Sequence, residues 1–429
     1  MSSDVKTEIG NIVEEINKTH AIINIQGKIV IINFGVDPIS GRENLTFSSQ
    51  DGFKLWYKNK FIFMPPDERG KQKRINHAVI WLESKLRQQY SGLVFDPADR
   101  PHDGFYNLWK GFAVKPKKGK CPLYYDHIRE NIAENKEHIY NYILDWMADA
   151  VQNPIDLPGV SMVLRGGSGA GKGTLINLFG MIFGNHFQHV SNSRHVVGNF
   201  NAHLKDCLLL FADEAFFAGD KQHESTLKTI ITEDTRQVEY KGKDVLQFPN
   251  YTRLMMASNK AWVVPLEIDD RRFFILDVSD KHKKQISYFK PIYKEMKEQG
   301  GLSALLYDLL KRDLSNVDLT QIPETQARID HKLLSLDTVG DWLLFMLADE
   351  SGRWYNLTAA NLYDEYLKSC GKRRNETMNG WSRRMRFFFP DLRRKQFADG
   401  SRYYEFPEIN LGRELFESKI GHKIDWSKV

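Results

Sequence analysis

The stretch Arg165-Gly166-Gly167-Ser168-Gly169-Ala170-Gly171-Lys172-Gly173-Thr174 leaves this chain few folds to choose from. It follows an apolar, strand-like run (Val160, Met162, Val163, Leu164) and precedes a helix-like one (Leu175, Ile176, Leu178, Phe179, Ile182, Phe183). Glycines let the backbone curl until successive N–H groups converge on one anion. A helix that starts directly behind adds its positive end, and Lys172 adds a full charge for the β- and γ-phosphates. Gly166, Gly167, Ser168, Gly169, Ala170, Gly171, Lys172, Gly173 and Thr174 are therefore the candidate ATP contacts. The residue after the lysine is a glycine, so the hydroxyl expected on Mg²⁺ must come from Thr174, one place later.

From Val160 to about Val278 short apolar strands alternate with helical stretches, as in a parallel-sheet nucleotide domain. Leu208-Leu209-Leu210-Phe211-Ala212, Arg253-Leu254-Met255-Met256-Ala257 and Phe273-Phe274-Ile275-Leu276 are the expected buried strands. The 429 residues allow about three domains of ordinary size. Residues 1–105 read as a mixed α/β domain. Ala21–Ile25 and Lys28–Ile32 are two strands around Gln26-Gly27, and Ala78, Ile80, Trp81, Leu82 and Leu86 recur at helical spacing. Residues 106–158 form a basic linker and an amphipathic helix from Ile128 to Val151, broken near Glu134-Asn135. Residues 159–280 are the nucleotide core, 281–349 a helical region, and 350–429 a separate basic module.

Asp213-Glu214 ends one apolar strand, 41 residues after Lys172. An acid at that place can hold Mg²⁺ through water, and its neighbour can polarise an attacking water. An acidic pair alone is more often a solvated turn; the preceding apolar run is what argues otherwise. Asn259 ends the next strand, where an amide can orient the same water. Asp269-Asp270-Arg271-Arg272 precedes the last strand. Its bland reading is a surface ion-pair cluster of little worth; its functional reading is an arginine finger supplied by a neighbouring subunit. Between the strands, alternating apolar residues flank Lys241-Gly242-Lys243-Asp244, a hairpin with lysines near its tip.

In this order the residues resemble a superfamily 3 helicase of the AAA+ ATPases, and more narrowly the helicase part of phage and plasmid primase–helicases. The resemblance covers residues 90–280, including Phe95-Asp96-Pro97 and Tyr106-Asn107-Leu108-Trp109-Lys110-Gly111-Phe112. Length and character also resemble the C-terminal half of a deep-sea-vent phage primase–polymerase. The resemblance implies a homohexameric ring that binds ATP between subunits and moves 3′→5′ on single-stranded or forked DNA. It makes Lys172, Asp213, Glu214, Asn259 and Arg272 (with Arg271 the runner-up) the catalytic set, Thr174 and Asp213 the Mg²⁺ contacts, and Lys241 and Lys243 the DNA contacts. A primase–polymerase domain or protein is the implied partner, because no paired acidic polymerase motif is found in this chain.

Eleven basic side chains lie between Lys368 and Arg402 against Glu376, Asp391 and Asp399, a larger local excess than the +5 of the whole chain. Thr358 is positioned to cap one helix, a second runs from Thr377 to Phe388, and Asp399-Gly400 makes a hairpin turn, a winged-helix-like sequence of elements. Arg383, Arg384, Arg393 and Arg394 are the candidate phosphate anchors of this module; a solvated face or a subunit contact is the competing reading. The interleaved aromatics are expected to form its core. No run of eighteen apolar residues and no signal pattern occurs, and Cys121, Cys207 and Cys370 are scattered, as in a cytoplasmic protein; a phage origin, which the resemblance implies, would make that the cytoplasm of a bacterial host. Two other functions share the loop: an AAA+ initiator or remodeller that hydrolyses ATP without processive unwinding, and a nucleoside monophosphate kinase. The kinase resembles the chain only at the loop, and phosphoryl transfer to AMP would reveal it.

Overall fold

In a computed structural model the described residues are 3–25, 27–38, 43–66, 68–191, 204–214, 221–238, 246–351, 357–371 and 375–429. Five strands form the central sheet: β1 (Ser161–Arg165), β2 (Phe187–Val190), β3 (Leu209–Ala212), β4 (Arg253–Ser258) and β5 (Phe273–Asp277). Their order is β2-β3-β4-β1-β5, and every pairing is parallel. Near-continuous apolar strands suit a sheet covered on both faces. Alternate residues do face opposite sides. Met162, Leu164, Leu209, Phe211, Met255 and Phe274 pack with helix Glu137–Gln152 and helix α1 (Lys172–Gly180). Val163, Leu210, Leu254, Met256, Phe273 and Ile275 pack with Leu227, Ile230 and Ile231 of helix Lys221–Thr232 on the other side.

The N-terminal region builds a separate four-stranded sheet in which His20–Ile25 pairs antiparallel with Lys28–Val36, Ile25 opposite Lys28. One expectation fails there. The helix expected to include Leu86 is confined to His77–Glu83, and Leu86 is exposed. Ser84 accepts a hydrogen bond from the Leu86 N–H at 3.1 Å, turning the chain so that Gln89–Tyr90 can join the sheet beside Ile22 and Ile23. The expected break at Glu134-Asn135 is present: both residues have positive φ (51° and 59°), between a π-helical turn His127–Ile132 and the helix Glu137–Gln152.

Behind the core, helix α2 (Ile286–Glu298) and helix Gly301–Lys311 pack on the same face as Glu137–Gln152. The C-terminal module has helices Thr338–Ala348, Ala359–Cys370 and Met378–Phe388, antiparallel strands Arg393–Gln396 and Arg402–Glu405, and a closing helix Ile409–Ile420. Thr358 and Thr377 cap their helices by accepting from the N–H of Asn361 and of Gly380. The module's apolar core already includes Val339–Leu347, so the first of these helices packs with it. Trp381 is fully buried there, with Trp342, Tyr363 and Tyr404 around it. Trp381→Ala should cost about 3–5 kcal/mol, read as loss or a marked lowering of the module's unfolding transition in denaturant.

No helix among the described residues is long and apolar enough to cross a membrane, and all three cysteines are buried and free.

Candidate nucleotide site

The glycine-rich loop leaves the C-terminal end of β1, an interior strand flanked by β4 and β5. Arg165 fixes its first end: the guanidinium grips Asp277 at 2.5 and 2.6 Å and Asp330 at 2.9 Å, tying β1 to β5 and to helix Gln326–Leu334. Gly169 and Gly171 have φ of 79° and 105°, where side chains are strained. Space is short for a side chain as well. A Cβ on Gly171 would lie 2.5 Å from a carbon of His127, and one on Gly169 would lie 3.0 Å from Lys284. Lys172 opens α1 and folds back, its Nζ donating to the carbonyls of Gly166 (2.6 Å) and Gly167 (2.9 Å). Burial lowers its pKa from the usual lysine value, against the opposing pull of the Asp213 and Asp280 carboxylates.

A cavity of about 690 Å³ opens over the loop, within the size range of small-molecule sites. Ser168 through Thr174 line one side, and Asp213, Glu214, Ser258 and Asn259 reach it from the ends of β3 and β4. Three segments far apart in sequence thus converge on one volume. Asp213 accepts from the Glu214 N–H at 3.0 Å and faces His189 at 3.3 Å, whose ring lies on Phe211. Glu214 itself is held at φ 52°, a strained conformation for a residue with a side chain. Asn259 is exposed at the rim. The far wall comes from Lys284 and from Ile286, Phe289, Lys290 and Tyr293 on α2. Sequence reading missed this wall; its only signal was an amphipathic helix following the last strand.

Among the described residues no three His, Cys, Asp or Glu side chains are grouped to hold a metal by themselves. The Thr174 hydroxyl and Asp213 carboxylate are hard oxygen donors beside the glycine-rich loop. They fit an ion such as Mg²⁺ that takes most of its ligands from phosphate and water.

Arg271 and Arg272 are not in this cavity. They line another, of about 480 Å³, with Pro158, Gly159, Thr232, Glu267 and Thr320. They precede β5, and Phe273 pairs with Ser161, the first residue of β1; the loop lies beyond the other end. Five residues at about 3.3 Å each put roughly 16 Å between the two ends. Arg272 donates through Nε (3.1 Å) and Nη2 (2.7 Å) to the buried Asp270, while Arg271 is exposed.

Lys241 and Lys243 lie outside the described residues. The arms that carry them, Thr235–Val238 and Leu246–Pro249, pair antiparallel as expected of a hairpin. In the C-terminal module Arg383, Arg393 and Arg394 are exposed. Arg384 departs from the expected open face: it pairs with Asp337 at 2.5 Å and lies over Phe387 and Phe388. Asp337 also caps helix Thr338–Ala348, so this arginine joins two helices of the module.

Sheet, loop and cavity define a parallel-sheet α/β protein with a phosphate-loop-like turn at the ligand-binding edge. A family described as being of unknown function (DUF5906) matches residues 164–272. The chain is homologous to the DNA primase-polymerase of Nitratiruptor phage NrS-1, with 24% identity over 257 residues, 58% of this chain and 35% of that protein. It thus spans about a third of that relative's length. The apo structure of the NrS-1 C-terminal region has the same fold, with a TM-score of 0.63 at 15% identity over 92% of this chain and 97% of that one. A second form of that region gives 0.62 at 16% identity over 92% and 98%.

Proposed function

We propose that this chain is an ATP-hydrolysing DNA helicase of the AAA+ superfamily 3 type that acts in phage DNA replication. In this reading it works as a hexameric ring that moves 3′→5′ on single-stranded or forked DNA beside a primase–polymerase. The observation that carries the reading is the single cavity that unites Lys172 and Thr174 with Asp213, Glu214 and Asn259. Two further features support it: the all-parallel sheet with the loop strand in its interior, and homology to a phage primase-polymerase.

Each residue has a distinct task. Amides at the start of α1 and the Lys172 ammonium bind the β- and γ-phosphates. Thr174 and Asp213 hold Mg²⁺, which neutralises phosphate charge when bound. Glu214 accepts the proton of the attacking water, and Asn259 fixes the water or the γ-phosphate. Arg272 of an adjacent subunit steadies the charge that develops as the phosphoryl group leaves. Lysine-tipped hairpins then carry the DNA backbone along the ring, and the open arginines of the C-terminal module add salt-dependent phosphate contacts.

Strand displacement on a forked duplex, measured with particle mass in the presence of ATP, tests the reading. ATP turnover without displacement would instead favour an initiator or remodeller. Replacing Lys241 and Lys243 together by alanine should reduce DNA-stimulated ATP turnover by about tenfold, the equivalent of 1.4 kcal/mol. ATP affinity should barely move. Full DNA stimulation in that variant would exclude the hairpin as the DNA-gripping element.

A further inference from the structure

Two buried polar side chains beneath the loop have no part in the mechanism above. His127 and Asn131 sit one turn apart on the π-helical segment His127–Ile132, amid the apolar Ile128 and Ile132, and neither is measurably open to solvent (0% and 1%). Asn131 donates its Nδ2–H to the Ala170 carbonyl at 2.7 Å, and the His127 ring nitrogen Nε2 lies 3.1 Å from the Gly171 carbonyl. A carbonyl can only accept, so Nε2 carries the hydrogen. Burial lowers the His127 pKa to about 4, so the ring is neutral near pH 7 and its bare Nδ1 accepts from the Tyr288 O–H at 3.2 Å. Tyr288 belongs to α2, the helix that lines the far wall of the cavity.

Peptide planarity gives these contacts their consequence. In a trans peptide the C=O and the next N–H point in opposite directions. Holding the Ala170 carbonyl downward turns the Gly171 N–H upward, and holding the Gly171 carbonyl downward does the same for the Lys172 N–H. These two amides stand at the start of α1, where an anion would be received. We propose that Asn131 and His127 are positioning residues for the nucleotide's phosphates, a polar clamp that aims the loop amides and ties their orientation through Tyr288 to α2. The inference rests on the reading of the cavity as a nucleoside triphosphate site.

A purely structural role fits Asn131 poorly. Its Oδ1 is buried and has no hydrogen-bond partner among the described residues, a cost that a leucine of similar volume would not carry. Asn131→Leu exchanges one hydrogen bond for relief from one orphaned oxygen, so the fold should keep its melting temperature while the loop loses its aim. π-Helical turns inside longer helices recur at functional sites.

The test measures binding of a fluorescent ATP analogue with Mg²⁺, steady-state ATP turnover and thermal melting on the full chain. Asn131→Leu and His127→Phe should each weaken nucleotide binding about tenfold or more, with KM rising in step. Turnover at saturation and melting temperature should stay near wild type, and His127→Gln, which keeps a donor, should recover much of the affinity. Wild-type affinity in both variants, or affinity and melting temperature falling together, would overturn the clamp and leave the nucleotide reading standing. Should Asn131→Leu fail to fold, its role is structural, and the His127 pair alone decides the remainder in the same way. Failure of the wild-type chain to bind any nucleoside triphosphate would overturn both.

Discussion

Glu214→Gln is expected to bind ATP as tightly as the parent chain and to hydrolyse it at least about a hundredfold more slowly. The expectation comes from where the residue stands and how it is held. Glu214 reaches the cavity from the end of β3, its own N–H is bonded to the Asp213 carboxylate, and its backbone is kept at φ 52°. A glutamine fills the same space and keeps a carbonyl oxygen, so shape and most hydrogen bonding survive. What it lacks is a lone pair basic enough to take a proton from water. The loop and Lys172, which supply the affinity in the proposed function, are untouched. Asp213→Asn provides the contrast, since it should weaken binding of the Mg²⁺ complex as well as slow turnover. Single-turnover hydrolysis beside an equilibrium binding measurement separates the two effects. Turnover at the parental rate in Glu214→Gln would remove this residue from the role of base.

Most of the core could be read from sequence because its signals are local. Glycines around a lysine, five-residue apolar runs and an acidic pair directly behind one of them each report on their own neighbourhood, and the sheet brings them together at one edge. The capping Thr358 and the helix that begins at Thr377 were legible for the same reason. What escaped was tertiary. Phe289 and Tyr293 look like the apolar stripe of any amphipathic helix until α2 is seen to face the loop. His127 and Asn131 fall at helical spacing in an otherwise apolar pattern. No periodicity argument tells a buried donor that serves a distant carbonyl from a polar residue at a helix edge. Leu86 shows the opposite failure, where spacing continued past the point at which Ser84 turned the chain. Arg384 belongs to the same lesson: its partner Asp337 lies 47 positions earlier, so a cluster of arginines in sequence is not one face in space.

Arg272→Ala should lower ATP turnover by about three orders of magnitude or more, the usual worth of an arginine finger, and it should do so from outside its own cavity. Within one chain the residue cannot take part: it stands at the far end of β5 from the loop, at the edge of a different cavity. A contribution to hydrolysis therefore requires a neighbouring subunit that presents this end of its sheet to the loop. The side chain is prepared for such a task. Asp270, itself buried, holds Nε and Nη2, which fixes the guanidinium plane and leaves Nη1 directed away from the pair. Lysine cannot reproduce that fork, so Arg272→Lys should fail almost as badly. Mixing is the decisive measurement. If rings exchange subunits, an equal mixture of Arg272→Ala and parent chains should keep far less than half the activity, because each variant silences its neighbour's intact site. Strictly proportional loss would mean that every site is complete within one chain, which this geometry forbids for Arg272. It would move the charge-stabilising role to a cation of the loop's own cavity, Lys284 or Lys290, because Arg271 stands at the same far end of β5.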